Sequence, residues 1–380
     1  MREGRGRVRR APRPSARPLL GRGACLVAAT GLWGLALVGS ASPAAAHTVT
    51  GVAPTNYRSE VLGVSPRLPG LAIRLLDLGR RVELTNRGPD EVVVVGYENE
   101  EYLRVGPAGV FENRRAPALY QNRPLPPGVT STTLPAVADA RAAPEWQRVS
   151  SGHSVRWRDR RTRWEGGQPD GVRLHPGTLQ VVSGWTLPLL DAGNGAAVAV
   201  TGRITWVPPP SLGLWLALAA ALLLVPLAVA ATRWAGPLLA GCLGVMVALD
   251  VAHTVGLALA TRDPAWKEAL RVLLGSDSIS VFAWVAAAVA IGPLQRWQEG
   301  GLVTAGIAGL VIAILGGASD AAALVHSQVP VSFSATLART AIATSLGLGL
   351  GLAAVTAVVE RGLSRHQPAL EARWSRMARR

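Results

Sequence analysis

Cysteine, lysine and the signatures of common enzymes are what this sequence lacks. Two cysteines occur in 380 residues, Cys25 at the start of an apolar leader and Cys242 inside an apolar run of helix length. The segment between them therefore has no disulfide to stabilise it and must rely on a core, which a domain of its size can bury. Lysine is reduced to Lys267, and every other cationic side chain apart from histidine is arginine. That bias reads as base composition of the genome rather than as a functional choice. No P-loop, Gly-x-Ser-x-Gly, His-Glu-x-x-His or Cys-x-x-Cys is present. The chain thus carries no motif for phosphate cradling, serine hydrolysis, zinc proteolysis or dithiol exchange, and no enzymatic activity is read from it.

What is present begins with an address. Residues 1–23 hold eight arginines against Glu3, and an apolar stretch follows from Cys25 to Ala41. With the small residues Ala44, Ala45 and Ala46 after it, this is the pattern of a signal peptide over residues 1–46, cut so that His47 becomes the first residue. An uncleaved first anchor is the alternative, because the apolar stretch is at the short end of what crosses a bilayer. Removing residues 1–46 takes away eight Arg and one Glu and lowers the formal charge from +15 to +8. A nucleic-acid partner is not needed to explain that value. Mean hydropathy of +0.26 and 49% hydrophobic residues exceed the needs of a soluble core.

Two halves follow. From residue 47 to 210 the pattern is short, alternating and punctuated by turns: "LAIRLLDLG", "RRVELTNRG", "EVVVVGYENE", "EYLRVGPAGVF", "HSVRWRDRRTRW", "LQVVSGWTLPLL" and "AAVAVTGRITWV". Short strands at regular spacing predict an all-β, Ig-like sandwich exported as an ectodomain. Residues 125–144, rich in Pro, Ala and Thr, predict a long loop. "WVPPPS", 206–211, is a stiff hinge with Trp206 at the membrane interface. Residues 211–360 then predict a helical membrane domain of about five spans: 212–232, 236–260, 279–294, 302–325 and 337–359. The tail 361–380 is basic, while the loop from Thr261 to Asp277 is mixed in charge, so the tail is expected in the cytoplasm and the β domain outside. The expectation is a multi-pass protein of a bacterial plasma membrane, in contact with anionic lipid through that tail. No internal repeat and no coiled coil is evident.

Ionisable groups inside spans are expensive, which makes each a candidate for function. Asp250 and His253 lie three residues apart and share a helix face. Asp320 falls in the expected fourth span and His326 at its outer end. Imidazole with carboxylate at that depth binds a transition metal or relays protons. The structural alternative pairs Asp320 with Arg339 and Asp250 with His253. A free N-terminal His47 would add an amine and an imidazole nitrogen, the donors Cu(II) prefers. Five of the six histidines, His47, His153, His175, His253 and His326, are expected outside or in the outer half of the membrane, and His366 inside.

His47 directly after the leader, with Ser-Gly-His later in "VSSGHSVRW" (149–157), resembles the CopC family of periplasmic copper-binding domains. The resemblance implies a CopC-like sandwich, copper as cargo, His47 and His153 as ligands, and with a CopD-type membrane domain a role in copper uptake or resistance. Ser151 stands where that family has an Asp ligand, and five spans are fewer than CopD-type domains have. "GLAIRLLDLGRRVELTN" and "VVVVGYENEEYLRV" also resemble uncharacterised exported-domain membrane proteins of high-GC bacteria, a resemblance that implies no activity.

"RWRDRRTRW" (156–164) points elsewhere. On a strand, Arg156, Arg158 and Arg160 would share one face, and Trp157, Asp159, Arg161 and Arg163 the other. Such arginines suit phosphate-bearing polymers, lipid headgroups or an envelope protein, or simply keep an edge strand soluble. Glu98, Glu100 and Glu101 are the acids expected to answer them across the sandwich. "LGLGLGL" (346–352) lies in an apolar span, where small residues serve close helix packing.

Overall fold

The computed structural model describes residues 52–123, 133–261, 266, 267, 270 and 278–377, with side chains to residue 361. The expected leader, His47 and most of the loop after Thr261 lie outside the described residues, as does the side chain of His366.

Among the described residues the first half is built of ten antiparallel strands: β1 (Tyr57–Ser65), β2 (Leu71–Leu76), β3 (Arg81–Asn86), β4 (Val92–Val95), β5 (Glu101–Gly106), β6 (Gly109–Asn113), β7 (Trp146–Ser150), β8 (Ser154–Arg158), β9 (Gln180–Asp191) and β10 (Ala197–Trp206). Seven form one sheet in the order β1-β10-β9-β4-β5-β6-β7, and β2-β3-β8 form the other. One core lies between them: Val82, Leu84 and Trp157 from the small sheet meet Val94, Leu103, Leu187 and Val200 from the large one. The alternation that predicts these strands is visible in their burial, since Val82, Leu84 and Asn86 of β3 point inward while Arg81, Glu83 and Thr85 do not. All four valines of β4 are buried, as suits an interior strand covered on both faces.

Two strands were not expected. β1 and β7 are the two edges of the large sheet, and β7 is mostly exposed. An edge with little buried surface carries no apolar period to read.

The second half contains α1 (Leu212–Ala230), α2 (Ala235–Ala260), α3 (Ser278–Gln295), α4 (Glu299–Ile312) and α5 (Ala335–Met377). α4 continues as a π-helical turn over Ala313–Ala318. Among the described residues, four helices are long and apolar enough to cross a membrane: 212–230, 235–260, 299–318 and 335–361. The apolar part of α3, 279–295, is shorter than those. The expected fourth span also stops earlier than residue 325: after Ala318 the chain leaves the helix and runs through a short 3-10 segment, Ala321–Leu324.

Glycines set how closely the helices approach. A Cβ at Gly347 would meet the carbonyl of Ala219, and one at Gly351 that of Leu223, so this i, i+4 pair lets the backbones of α1 and α5 touch. Gly349, on another face, sits against Gly309 of α4. The stripe 347–351 is therefore a packing device, as small residues between membrane helices generally are.

The β domain is fastened to one end of the bundle. Thr55 and Gln328 exchange two backbone hydrogen bonds, of 3.1 and 2.8 Å, across an isolated bridge. The Asn56 side chain accepts from the Ser327 N–H at 2.7 Å, while the Asn56 carbonyl accepts from Val207 N–H at 2.8 Å. Arg81 donates to the Thr261 carbonyl at the end of α2. Residues 52–56 thus tie the first strand, the hinge into α1 and the loop before α5 into one junction.

Candidate functional site

Beneath that junction the bundle buries a polar cluster. Asp250 and His253 of α2 are each only 2% exposed. A buried carboxylate needs donors, and Asp250 takes two from neighbouring helices: Trp284 Nε1–H of α3 at 2.7 Å and Ser345 Oγ of α5 at 3.3 Å. The room for it comes from α4. Gly316 sits in the π-helical turn so close that a Cβ there would overlap the Asp250 carboxylate. The turn is defined by the Ser319 N–H donating to the Ile314 carbonyl, five residues back, and such bulges are enriched at functional sites. Gly316 and Gly317, poor helix formers, occur where the α-helical pattern gives way.

His253 reaches a different acid. Its Nε2 lies 3.1 Å from Asp320 Oδ2, at the start of the 3-10 segment after α4. The carboxylate accepts, so Nε2 carries the proton and Nδ1 is left as the basic nitrogen. That Nδ1 is buried and, among the described residues, has no hydrogen-bond partner. Beside the pair is a cavity of ≈ 10 Å³ lined by Pro54, His253, Leu257, Asp320, Val329 and Pro330 among others. Such a volume holds about one water molecule. Its wall includes the β-domain segment through Pro54, so the strap that fastens the two halves also covers the histidine.

The expected pairings are rearranged. Arg339 does not take Asp320. Its guanidinium donates to the carbonyls of Ala323, His326 and Ser327 and so holds the 323–327 loop. Asp250 is held by Trp284 and Ser345 rather than by His253. His326 places Nδ1 2.7 Å from the Ala322 carbonyl and is absent from the lining of the cavity. His153 is exposed in the turn before β8, with Nδ1 3.1 Å from the Gly106 carbonyl. Among the described residues, no group of three or more His, Cys, Asp or Glu converges in a way that could hold a metal ion. Asp320 and His253 alone offer one carboxylate and one imidazole, fewer donors than a closed copper site takes. Trp284, Ser345, Gly316 and Pro54 were not legible as members of the site. Only the Gly-Gly pair just before Asp320 hinted that helix α4 is interrupted there.

The arginine segment alternates as expected only as far as Asp159. Arg156 is outward and paired with Glu83 at 2.7 Å, and Trp157 is buried. Beyond the end of β8, a 3-10 turn over Arg160–Thr162 breaks the period and buries Thr162. Asp159, fully buried, takes a bidentate bond from Arg161 at 2.9 and 2.7 Å and a bond from Trp157 Nε1–H at 3.0 Å. Arg160 and Arg161 lie over the Tyr97 ring, 4.2 and 4.8 Å from its centre. Burial, with the Asp159 carboxylate next, pushes the Tyr97 hydroxyl up to about 12. The acid of "YENEEYLRV" that is buried, Glu100, instead accepts backbone N–H groups from Glu98 and Ala118 at 2.8 and 3.0 Å. The arginines are answered by Glu83, Asp159 and Glu165.

Comparison with protein families, with curated proteins and with solved structures found no match to this chain.

Proposed function

We propose that this chain is a multi-pass membrane protein that takes up a cation at His253 and Asp320, under a β domain that controls access to them. The observation that carries the reading is the buried, unpartnered Nδ1 of His253 beside a one-water cavity. A neutral imidazole nitrogen held by a carboxylate binds a proton or a transition-metal ion. Asp250 supplies a second carboxylate one helical turn away, neutralised in part by the Trp284 and Ser345 donors.

For copper as cargo the two side chains need further donors. His47 precedes the described chain by five residues, and five residues of extended chain reach at most ~18 Å. Val52 is buried and Pro54 lines the cavity, so the segment that His47 precedes passes over the site. This favours His47 over His153 and His326 as the partner of His253. The alternative, a non-catalytic envelope or scaffold protein binding a protein or anionic polymer through Arg156, Arg158, Arg160, Arg161 and Arg163, has less in its favour, because Arg156, Arg161 and Arg163 are each engaged by an acid of the chain.

The test is Cu(II) binding by equilibrium dialysis to full-length protein in detergent, for the mature chain beginning at His47, for the same chain with one residue added before it, and for His253→Ala. Copper bound by the first and lost in both variants supports copper handling. No copper, with His253 instead gaining a proton in the folded protein, supports the proton reading. Absence of both makes the pair structural and ends the proposal.

A further inference from the structure

A second cleft lies at the foot of the β domain. Its volume is ≈ 270 Å³, and Tyr57, Leu78, Arg80, Arg163, Trp164 and Glu165 line it. One wall is aromatic: Tyr57 stacks on Trp164 with ring centres 5.9 Å apart and meets Trp206 edge-on at 5.2 Å. Trp206 directly precedes the hinge into α1, and Thr55 on the rim of the cleft is bridged to Gln328. The cleft is therefore close to the end of the helical bundle that carries the hinge.

Its charge is unbalanced. Arg80 is half-buried, and among the described residues its guanidinium makes no ion pair or hydrogen bond. The acids near it are already taken, Asp77 by Arg81 and Glu165 by Arg163. Burial, and after it the Arg163 and Arg158 guanidiniums, pull Arg80 below the usual arginine range. The turn that presents Arg80 is itself costly, because Asp77 and Leu78 both hold positive φ, 53° and 57°. Non-glycine residues rarely adopt that conformation, and such strain clusters at ligand clamps.

We propose that this cleft binds the phosphate of an anionic membrane lipid, with Arg80 on the phosphate, the Arg163–Glu165 pair beside it, and the Tyr57–Trp164 wall against the glycerol. The volume is just under that of the smallest drug-sized pockets, ~300 Å³, so it takes a headgroup and leaves the acyl chains in the bilayer. Guanidinium pairs bidentately with phosphate, and aromatic rings at a membrane interface anchor a protein there. Glu165 opposes the anion by its charge. The proposal rests on the membrane embedding but not on the cation site at His253.

The probe is dihexanoyl phosphatidylglycerol added to full-length protein in detergent, with bound lipid counted by native mass spectrometry. Wild type is expected to hold one molecule saturably. Arg80→Gln is expected to weaken it about tenfold or more, the loss of a charge-assisted contact. Glu165→Gln is expected to strengthen it, and it keeps the proposal testable if Arg80→Gln does not fold. Dihexanoyl phosphatidylcholine is expected to bind less well than phosphatidylglycerol. Inorganic phosphate that displaces the lipid at equal concentration would make this a site for free phosphate rather than a headgroup. Lipid binding unchanged in Arg80→Gln, unchanged or weaker in Glu165→Gln, or absent in wild type overturns the proposal.

Discussion

Gly316→Ala separates this account from ordinary helix energetics, because the two predict opposite signs. In a helix, alanine is normally the more stable residue by ~0.5–1 kcal/mol. At Gly316 the added methyl overlaps the Asp250 carboxylate. Either the π-helical turn shifts, at an overpacking cost of ~1–3 kcal/mol, or Asp250 swings away and gives up the Trp284 and Ser345 bonds. Hydrogen bonds to a charged group are worth ~1.5–3 kcal/mol each, part of which returns if the displaced groups find new partners. A net destabilisation of about 2–4 kcal/mol is expected, which for a helical domain of this size lowers the unfolding midpoint by roughly 4–16 °C. The assay is thermal unfolding of the full-length protein in detergent, carried out in a cycle with Asp250→Ala. Removing the carboxylate makes the room, so Gly316→Ala should be nearly neutral or stabilising in that background. A wild-type midpoint for Gly316→Ala, or the same loss in both backgrounds, refutes the packing of α4 on Asp250.

Other consequences are more local. Gly347→Val should separate α1 from α5 and cost ~1–3 kcal/mol, read as a lower unfolding midpoint, whereas valine at the solvent-exposed Gly167 should not. Asp159→Ala leaves Arg161 and the Trp157 N–H without their acceptor and should destabilise the β domain by on the order of 3 kcal/mol in chemical denaturation. Tyr97 has its pKa raised from 10.0 to about 12, so the unfolded chain loses this proton before the folded one. The stability it contributes is complete below about pH 10 and is lost as pH rises toward 12, and Tyr97→Phe should flatten that part of the alkaline limb. Asn56→Ala removes the acceptor of the Ser327 N–H and should speed hydrogen exchange at Ser327 while leaving the β-domain core protected.

The burial of the strands could be read from sequence where a strand has one wet and one dry face. "RRVELTN" and "AAVAVTGRITWV" alternate because β3 and β10 do. β1 and β7 escaped because edge strands bury too little to impose a period. Helix starts were legible from apolar runs with punctuation, such as Ser211 capping α1 by accepting from the Leu214 N–H. The end of α4 was not, since the apolar run continues past Ala318 while the backbone does not. Asp250, His253 and Asp320 were legible because charge in an apolar run is rare. Their partners were not: spacing along one helix suggests Asp250 with His253, but contacts across helices depend on how the bundle turns, which Gly316, Trp284 and Ser345 decide. Arg339 shows the same limit, because its carbonyl partners carry no side-chain signal at all.

The central claim is that His253 keeps a basic, cation-accepting Nδ1 under the β domain. Solid-state ¹⁵N NMR of histidine-labelled full-length protein in lipid bilayers tests it directly, with His253→Gln assigning the signal. The expected result is a ring protonated at Nε2, with an Nδ1 resonance that changes on acidification or on adding Cu(II). A ring protonated at Nδ1, or an Nδ1 resonance indifferent to both acid and copper, would contradict it.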